Sequence, residues 1–108
     1  MQIRINPNFY KANFQKHIMG TALITIKIMP ESPSIDLKAI EKQAIAIVEK
    51  NQGKKPSVRT EPIAFGLVAV IINFALDESL SIDDIENPLK TIEGVSSAEV
   101  IDFRRAFG

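Results

Sequence analysis

Apolar and polar residues alternate from Thr21 to Met29. Ile24, Ile26 and Ile28 fall on one side and Leu23, Thr25 and Lys27 on the other, the period-two pattern of a strand with one buried face. Pro30-Glu31-Ser32-Pro33-Ser34 ends it, because two prolines so close together cannot pair inside a sheet. The period then changes. Leu37, Ile40, Ala44, Ile47 and Val48 recur at helical spacing between Asp36 and Lys50, with Lys38, Glu41, Lys42, Glu49 and Lys50 mostly opposite, so the spacing predicts an amphipathic helix. Ser34 or Asp36 is placed to cap its start. Gly53, after Asn51 and Gln52, is placed to take a left-handed C-cap.

Lys54-Lys55-Pro56 reads as a solvated loop, and Ser57 to Thr60 as a short second strand whose one strong apolar residue is Val58. Glu61-Pro62-Ile63-Ala64-Phe65-Gly66 is turn-like, since Pro62 cannot extend a ladder and Gly66 admits backbone angles closed to other residues. The unbroken apolar run Leu67-Val68-Ala69-Val70-Ile71-Ile72 opens a third strand that reaches about Asp77. A run this apolar, and too short for a membrane span, reads as the central strand of a sheet. Asp77 to Ser81 is a loop. Ser81, with Asp84 three residues on, has capping-box spacing for a second helix. Its stripe is Ile82, Ile85, Leu89 and Ile92, and Asp83, Asp84 and Glu86 sit in the first turn, where the helix dipole favours acids. Pro88 lies past that turn, removes one helical hydrogen bond and is expected to bend or split the helix. Gly94 is a C-cap candidate, Val95 to Phe103 a fourth strand, and Arg104 to Gly108 the terminus.

The order strand, helix, strand, strand, helix, strand points to an α+β, ferredoxin-like sandwich (β-α-β-β-α-β). Right-handed crossovers then give a four-stranded antiparallel sheet with both helices on one face and the other face free. The regular pattern opens at Met19-Gly20. Residues 1–18 lack a clean periodicity and are expected to be a poorly ordered extension or a start-site artefact, with 19–108 as the domain.

Composition narrows the chemistry. The 108 residues, 45% hydrophobic and 24% charged, suit one soluble domain. The absence of cysteine excludes disulfides, thiolate metal sites and a cysteine nucleophile, and suits a reducing compartment. The one histidine, His17, falls in the N-terminal stretch without a partner cluster, so neither a metal, a cofactor nor a Ser-His device is expected. The scattered glycines form no phosphate-cradling loop. Asp77-Glu78 and Asp83-Asp84 read as a solvated loop and helix start. Bond-making chemistry is therefore not expected, and a binding surface remains. Residues 1–18 carry Arg4, Lys11 and Lys16 and no acid, leaving ten basic and thirteen acidic side chains elsewhere. A domain of net −3 suits phosphate contacts to nucleic acid poorly.

Two features stand out as binding candidates. Phe65 puts a large aromatic on the shaped turn, where it either caps the core or stands out as an anchor for a partner. Arg104-Arg105 is either a solvated terminus or a cation presented at a strand end to an anionic or metal-bearing site.

Three blocks carry a family resemblance: I-K-I-M-P-E-S-P (Ile26 to Pro33), E-P-I-A-F-G-L-V-A-V (Glu61 to Val70) and I-E-G-V-S-S-A-E-V-x-D-x-R-R (Ile92 to Arg105). In this order and spacing they resemble archaeal translation elongation factor 1-beta, the guanine nucleotide exchange factor for the GTPase elongation factor 1-alpha. The resemblance runs from Met19 to the C-terminus. It implies a ferredoxin-like fold, a cytoplasmic protein, a GTPase partner, and no direct contact with nucleic acid or membrane. It implies that Phe65, with Gly66 in the same turn, packs against the GTPase. It also implies that Arg105, beside Arg104, stands where eukaryotic relatives carry a lysine that reaches the magnesium site. A cation there would repel the Mg²⁺ that neutralises the phosphates of GDP. Residues 1–18 have no counterpart in the family pattern, and Pro88 lies where members carry helix formers. A different class stays open, because sandwiches of this topology also bind RNA through aromatics on their central strands. Ala64 to Val70 echoes that signature, but only Phe65 keeps an aromatic, with Leu67 and Val70 at the other stacking positions and Ile63 where a basic residue is wanted.

Overall fold

A computed structural model describes residues 20–106. The expected extension of residues 1–18, the domain start at Met19, and His17 lie outside the described residues. The elements are β1 (Thr21–Pro30), α1 (Leu37–Lys50), β2 (Lys54–Pro62), β3 (Val68–Asp77), α2 (Asp83–Lys90) and β4 (Val95–Ala106). The four strands form one antiparallel sheet in the order β2-β3-β1-β4. This is the ferredoxin-like sandwich that the element order predicts.

The central pair is β1 with β3, whose register sets Ile24 opposite Phe74, Ile26 opposite Ile72, and Ile28 opposite Val70. All six are buried and pack in one core with Ile40, Ala44 and Val48 of α1 and Ile85 and Leu89 of α2. The isoleucine stripe read from the sequence is thus the sheet's core face. The opposite face carries no helix, yet Ile71 at its centre is fully buried. It stands between Lys27 on β1 and Arg59 on β2, whose aliphatic stems shield it while their charges remain in water.

Asp36 caps α1, accepting the Lys38 and Ala39 amides at 3.0 and 3.4 Å. At the other end the left-handed residue is Gln52 (φ 70°), not Gly53 as the sequence predicts. The Gly53 amide bonds the Val48 carbonyl at 2.8 Å and the Gln52 amide bonds that of Glu49 at 3.2 Å, a complete Schellman closure. Glycine is needed one position later, for close approach to the helix: a Cβ on Gly53 would collide with Val48 Cγ1.

Three further elements differ from the sequence expectation. Strand β2 already begins at Lys54, with an extra residue between Lys54 and Ser57 and Lys55 at φ 53°. Its lysines and Pro56 resemble a loop because β2 is an edge strand, where a bulge and a missing donor cost little. Helix α2 starts after Ile82, with no side-chain cap. The Ser81 hydroxyl accepts the Asp83 amide at 3.2 Å from one position further out. Pro88 sits two residues before the end of α2 and does not split it. Thr91 returns its hydroxyl to the Pro88 carbonyl at 2.7 Å, and Ile92 reaches the core from the turn that follows. Among the described residues no helix is long and apolar enough to cross a membrane.

The closure after α1 yields two substitutions of opposite sign. Gln52→Gly is expected to raise stability by up to about 1 kcal/mol, by relieving the left-handed conformation. Gly53→Ala is expected to cost about 1–3 kcal/mol through overpacking. Urea denaturation checks both: the midpoint should move up for the first and down for the second with unchanged slope.

Candidate functional site

The β2–β3 connection holds Phe65 by its backbone alone. The Leu67 amide bonds the Ala64 carbonyl at 3.0 Å, and the Ile63 amide bonds the Leu67 carbonyl at 2.8 Å. Two consecutive left-handed residues complete the turn, Phe65 at φ 58° and Gly66 at φ 80°. That pair of angles matches the right-handed twist of the strands it joins, and it usually selects Asn or Gly. Gly66 fits; Phe65 does not, and a bulky side chain there costs about 1–2 kcal/mol. The strain gains no burial, since Phe65 is 96% exposed. Its turn rests near Pro33 of the β1–α1 loop, and exposed Ile63 widens the apolar surface. Of the two readings of Phe65, the core cap is overturned: the ring caps nothing.

The two arginines lie inside β4, which continues past Phe103 to Ala106. Strict alternation does not assign their faces, because β4 carries one extra residue, Ile101: Thr25 pairs with Asp102 but Ile26 with Val100. This bulge shifts all later residues by one. Arg104 therefore stands opposite Leu23 on the open face, and Arg105 opposite Ala22 on the core side. Each is ion-paired. Arg104 Nε is 3.0 Å from Asp102 Oδ2, and Arg105 Nε is 3.1 Å from Glu78 Oε2. Arg104 also borders a shallow groove of about 350 Å³ on the open face, between Leu23, Ala75 and Lys55. On its floor the Thr25 hydroxyl donates to Asn73 Oδ1 at 2.6 Å.

The structure does not bring the candidates together. Strand β3 leads away from the Phe65 turn, and Asp77 at its far end pairs with Thr21, beside Ala22 and Arg105. From Val70 to Asp77 the strand spans roughly 23 Å at its usual rise. Phe65 and Gly66 thus mark one end of the sheet and Arg104 and Arg105 the other. Glu78 reads from the sequence as a solvated loop residue, and its pairing with Arg105 is not legible there. The signal is register: Thr21 pairs with both Asp77 and Ala106, which brings the residue after Asp77 near Arg105.

Comparison with known proteins adds the family. Residues 23–106 match the EF-1 guanine nucleotide exchange domain. Elongation factor 1-beta of Methanothermobacter thermautotrophicus is 41% identical over 88 residues, covering 81% of this chain and 98% of that protein. Elongation factor 1-beta of Methanoculleus marisnigri is 39% identical over 85 residues, covering 78% and 95%. That of Methanococcus maripaludis strain C6 is 36% identical over 85 residues, covering 78% and 96%.

The exposure of a strained ring has a direct test. Phe65→Asn, which suits the left-handed angle, is expected to leave the melting temperature unchanged or raise it. A ring serving the core would instead cost about 3–5 kcal/mol on truncation.

Proposed function

The chain belongs to the EF-1 guanine nucleotide exchange domain family, and we propose that it promotes GDP release from the translation GTPase elongation factor 1-alpha so that GTP can rebind. The match of residues 23–106 to the exchange domain carries this reading. It is a binding function: the factor accelerates release by favouring the nucleotide-free GTPase over the GDP-bound one, and makes or breaks no covalent bond. By linkage, GDP weakens binding of the factor by the same ratio.

Phe65 and Gly66 form the anchoring end. A ring already held out in water, on a turn that constrains its backbone, loses little freedom on docking and fills an apolar pocket of the partner. Arg105 forms the effector end. Brought near the ion site of the GTPase, its charge repels Mg²⁺ and loosens the groups that ligate it; without the ion, the phosphates of GDP are held less tightly. A guanidinium is planar and forked where the eukaryotic lysine is a point charge, so the approach also places hydrogen-bond donors on nearby oxygens. Arg104, on the other face, is the secondary contact. The work takes place in the cytoplasm, and the domain proper is residues 19–108.

The alternative, RNA binding by stacking, loses its platform. Among the described residues, the phenylalanines are Phe65 in the turn, Phe74 in the core, and Phe103 opposite Ile24 on the core side; none lies on the open face.

A fluorescent GDP analogue chased with excess unlabelled nucleotide tests the reading: substoichiometric chain should accelerate release from the GTPase. Phe65→Ala should weaken docking by about 1–3 kcal/mol with the rate at saturation nearly kept. Arg105→Ala should slow release at saturation more than it weakens docking. Because the two positions are more than about 20 Å apart, their effects on the overall exchange efficiency should add in the double variant. No acceleration by the wild-type chain would sink the proposal.

A further inference from the structure

Arg105 is held by a residue that nothing so far assigns a role. Glu78 follows β3 in the loop to α2 and lies two strands away from Arg105. Between them is the start of β1, where the floor is small: Ala22 opposite Arg105, and Gly20, whose carbonyl accepts the Glu78 amide at 3.4 Å. A larger side chain at Ala22 would stand in the path of the guanidinium. The loop bearing Glu78 is braced on both sides. Asp77 Oδ1 accepts the amide and hydroxyl of Ser79, both at 2.8 Å, and the Leu80 amide bonds the Asp77 carbonyl at 3.0 Å. The two partners differ in exposure: the Glu78 side chain is 21% exposed and that of Arg105 69%. A largely buried carboxylate on a braced loop thus holds an exposed cation.

The contact is made through Nε. That edge carries Nε–H and one terminal N–H, so engaging it leaves the other three N–H bonds of the two terminal nitrogens directed away from the carboxylate. An arginine near the end of an edge strand otherwise samples many rotamers, and ordering them opposes docking.

We propose that Glu78 is a positioning residue for Arg105: it holds the guanidinium by Nε across the Ala22–Gly20 floor, so that the terminal nitrogens are presented, already ordered, to the GTPase. The proposal rests on the exchange reading and adds a residue to it. The roles of orientation and charge are separable. An amide oxygen at position 78 still accepts from Nε–H, whereas a methyl group does not.

The test has two readouts. In the free chain, the ¹⁵N–¹H resonance of Arg105 Nε should exchange slowly with water in the wild type and in Glu78→Gln, and fast in Glu78→Ala. In the nucleotide-release assay, Glu78→Ala should slow release at saturation by about three- to tenfold, the scale of a lost ordering contact, while Glu78→Gln stays within about twofold. In the Arg105→Ala background, Glu78→Ala should have no further effect. Faster release in Glu78→Ala would make the pair a restraint and overturn the proposal. So would an equal loss in the Arg105→Ala background, or an Nε resonance indifferent to position 78. A normal resonance pattern together with no stimulation by the wild-type chain would overturn the exchange reading instead.

Discussion

The pairing of β1 with β3 is the interaction on which the rest depends. It brings the two most apolar strands together in a register that turns Ile24, Ile26, Ile28, Val70, Ile72 and Phe74 to one side. Both helices have their buried residues in that one core. A slip of one residue would turn the whole set to water, so burial holds the register firmly. The same register fixes everything at the margins. It sets the Phe65 turn at one end of the sheet, and the start of β1, the end of β4 and the Glu78 loop at the other. Both ends are thus consequences of a central hydrophobic match that contains none of their residues.

The open face supports the same view. With Ile71 already buried between Lys27 and Arg59, the centre of that face offers little apolar area, and its exposed Leu23 lies at the end opposite Arg104. A partner gains more at the ends, where Phe65 is exposed and where charge is displayed. Phe65 is costly in its local conformation and unrewarded within the monomer. Such strain persists where the surrounding structure imposes it, and it concentrates at sites of recognition.

Much of this was legible in the sequence. Period-two alternation in β1 and helical spacing in α1 identify their elements outright, and the order of elements gives the sandwich. The failures have separate physical causes. Lys54-Lys55-Pro56 reads as loop because composition does not distinguish a loop from an edge strand relieved by a bulge. Gly53 is a glycine for reasons of space rather than angle, and Gln52 takes the left-handed position beside it. Pro88 leaves α2 unsplit because the helix ends two residues later, which no local pattern reveals. At the candidate site, residue type favoured a core role for Phe65, whereas the turn that holds it out is built from two hydrogen bonds between backbone groups. The Arg105–Glu78 pair joins residues far apart in the chain across the one strand between them, β1, so only a register makes it visible.

The bulge at Ile101 carries a consequence of its own. Arginine at 104 and arginine at 105 are chemically identical, and what distinguishes them is whether an even or odd number of residues separates each from Val100 along the pleat. Ile101 supplies the extra step. Were the same residues paired without the bulge, Ile101 would face Thr25 and Arg104 would face Ala22, handing the Glu78 carboxylate to the other arginine; a chain that lost Ile101 itself would keep Arg105 in place. Which arginine meets Glu78 is therefore written as a parity, and because the two are chemically alike, a one-residue slip of pairing that no bulge absorbs exchanges their places without emptying either.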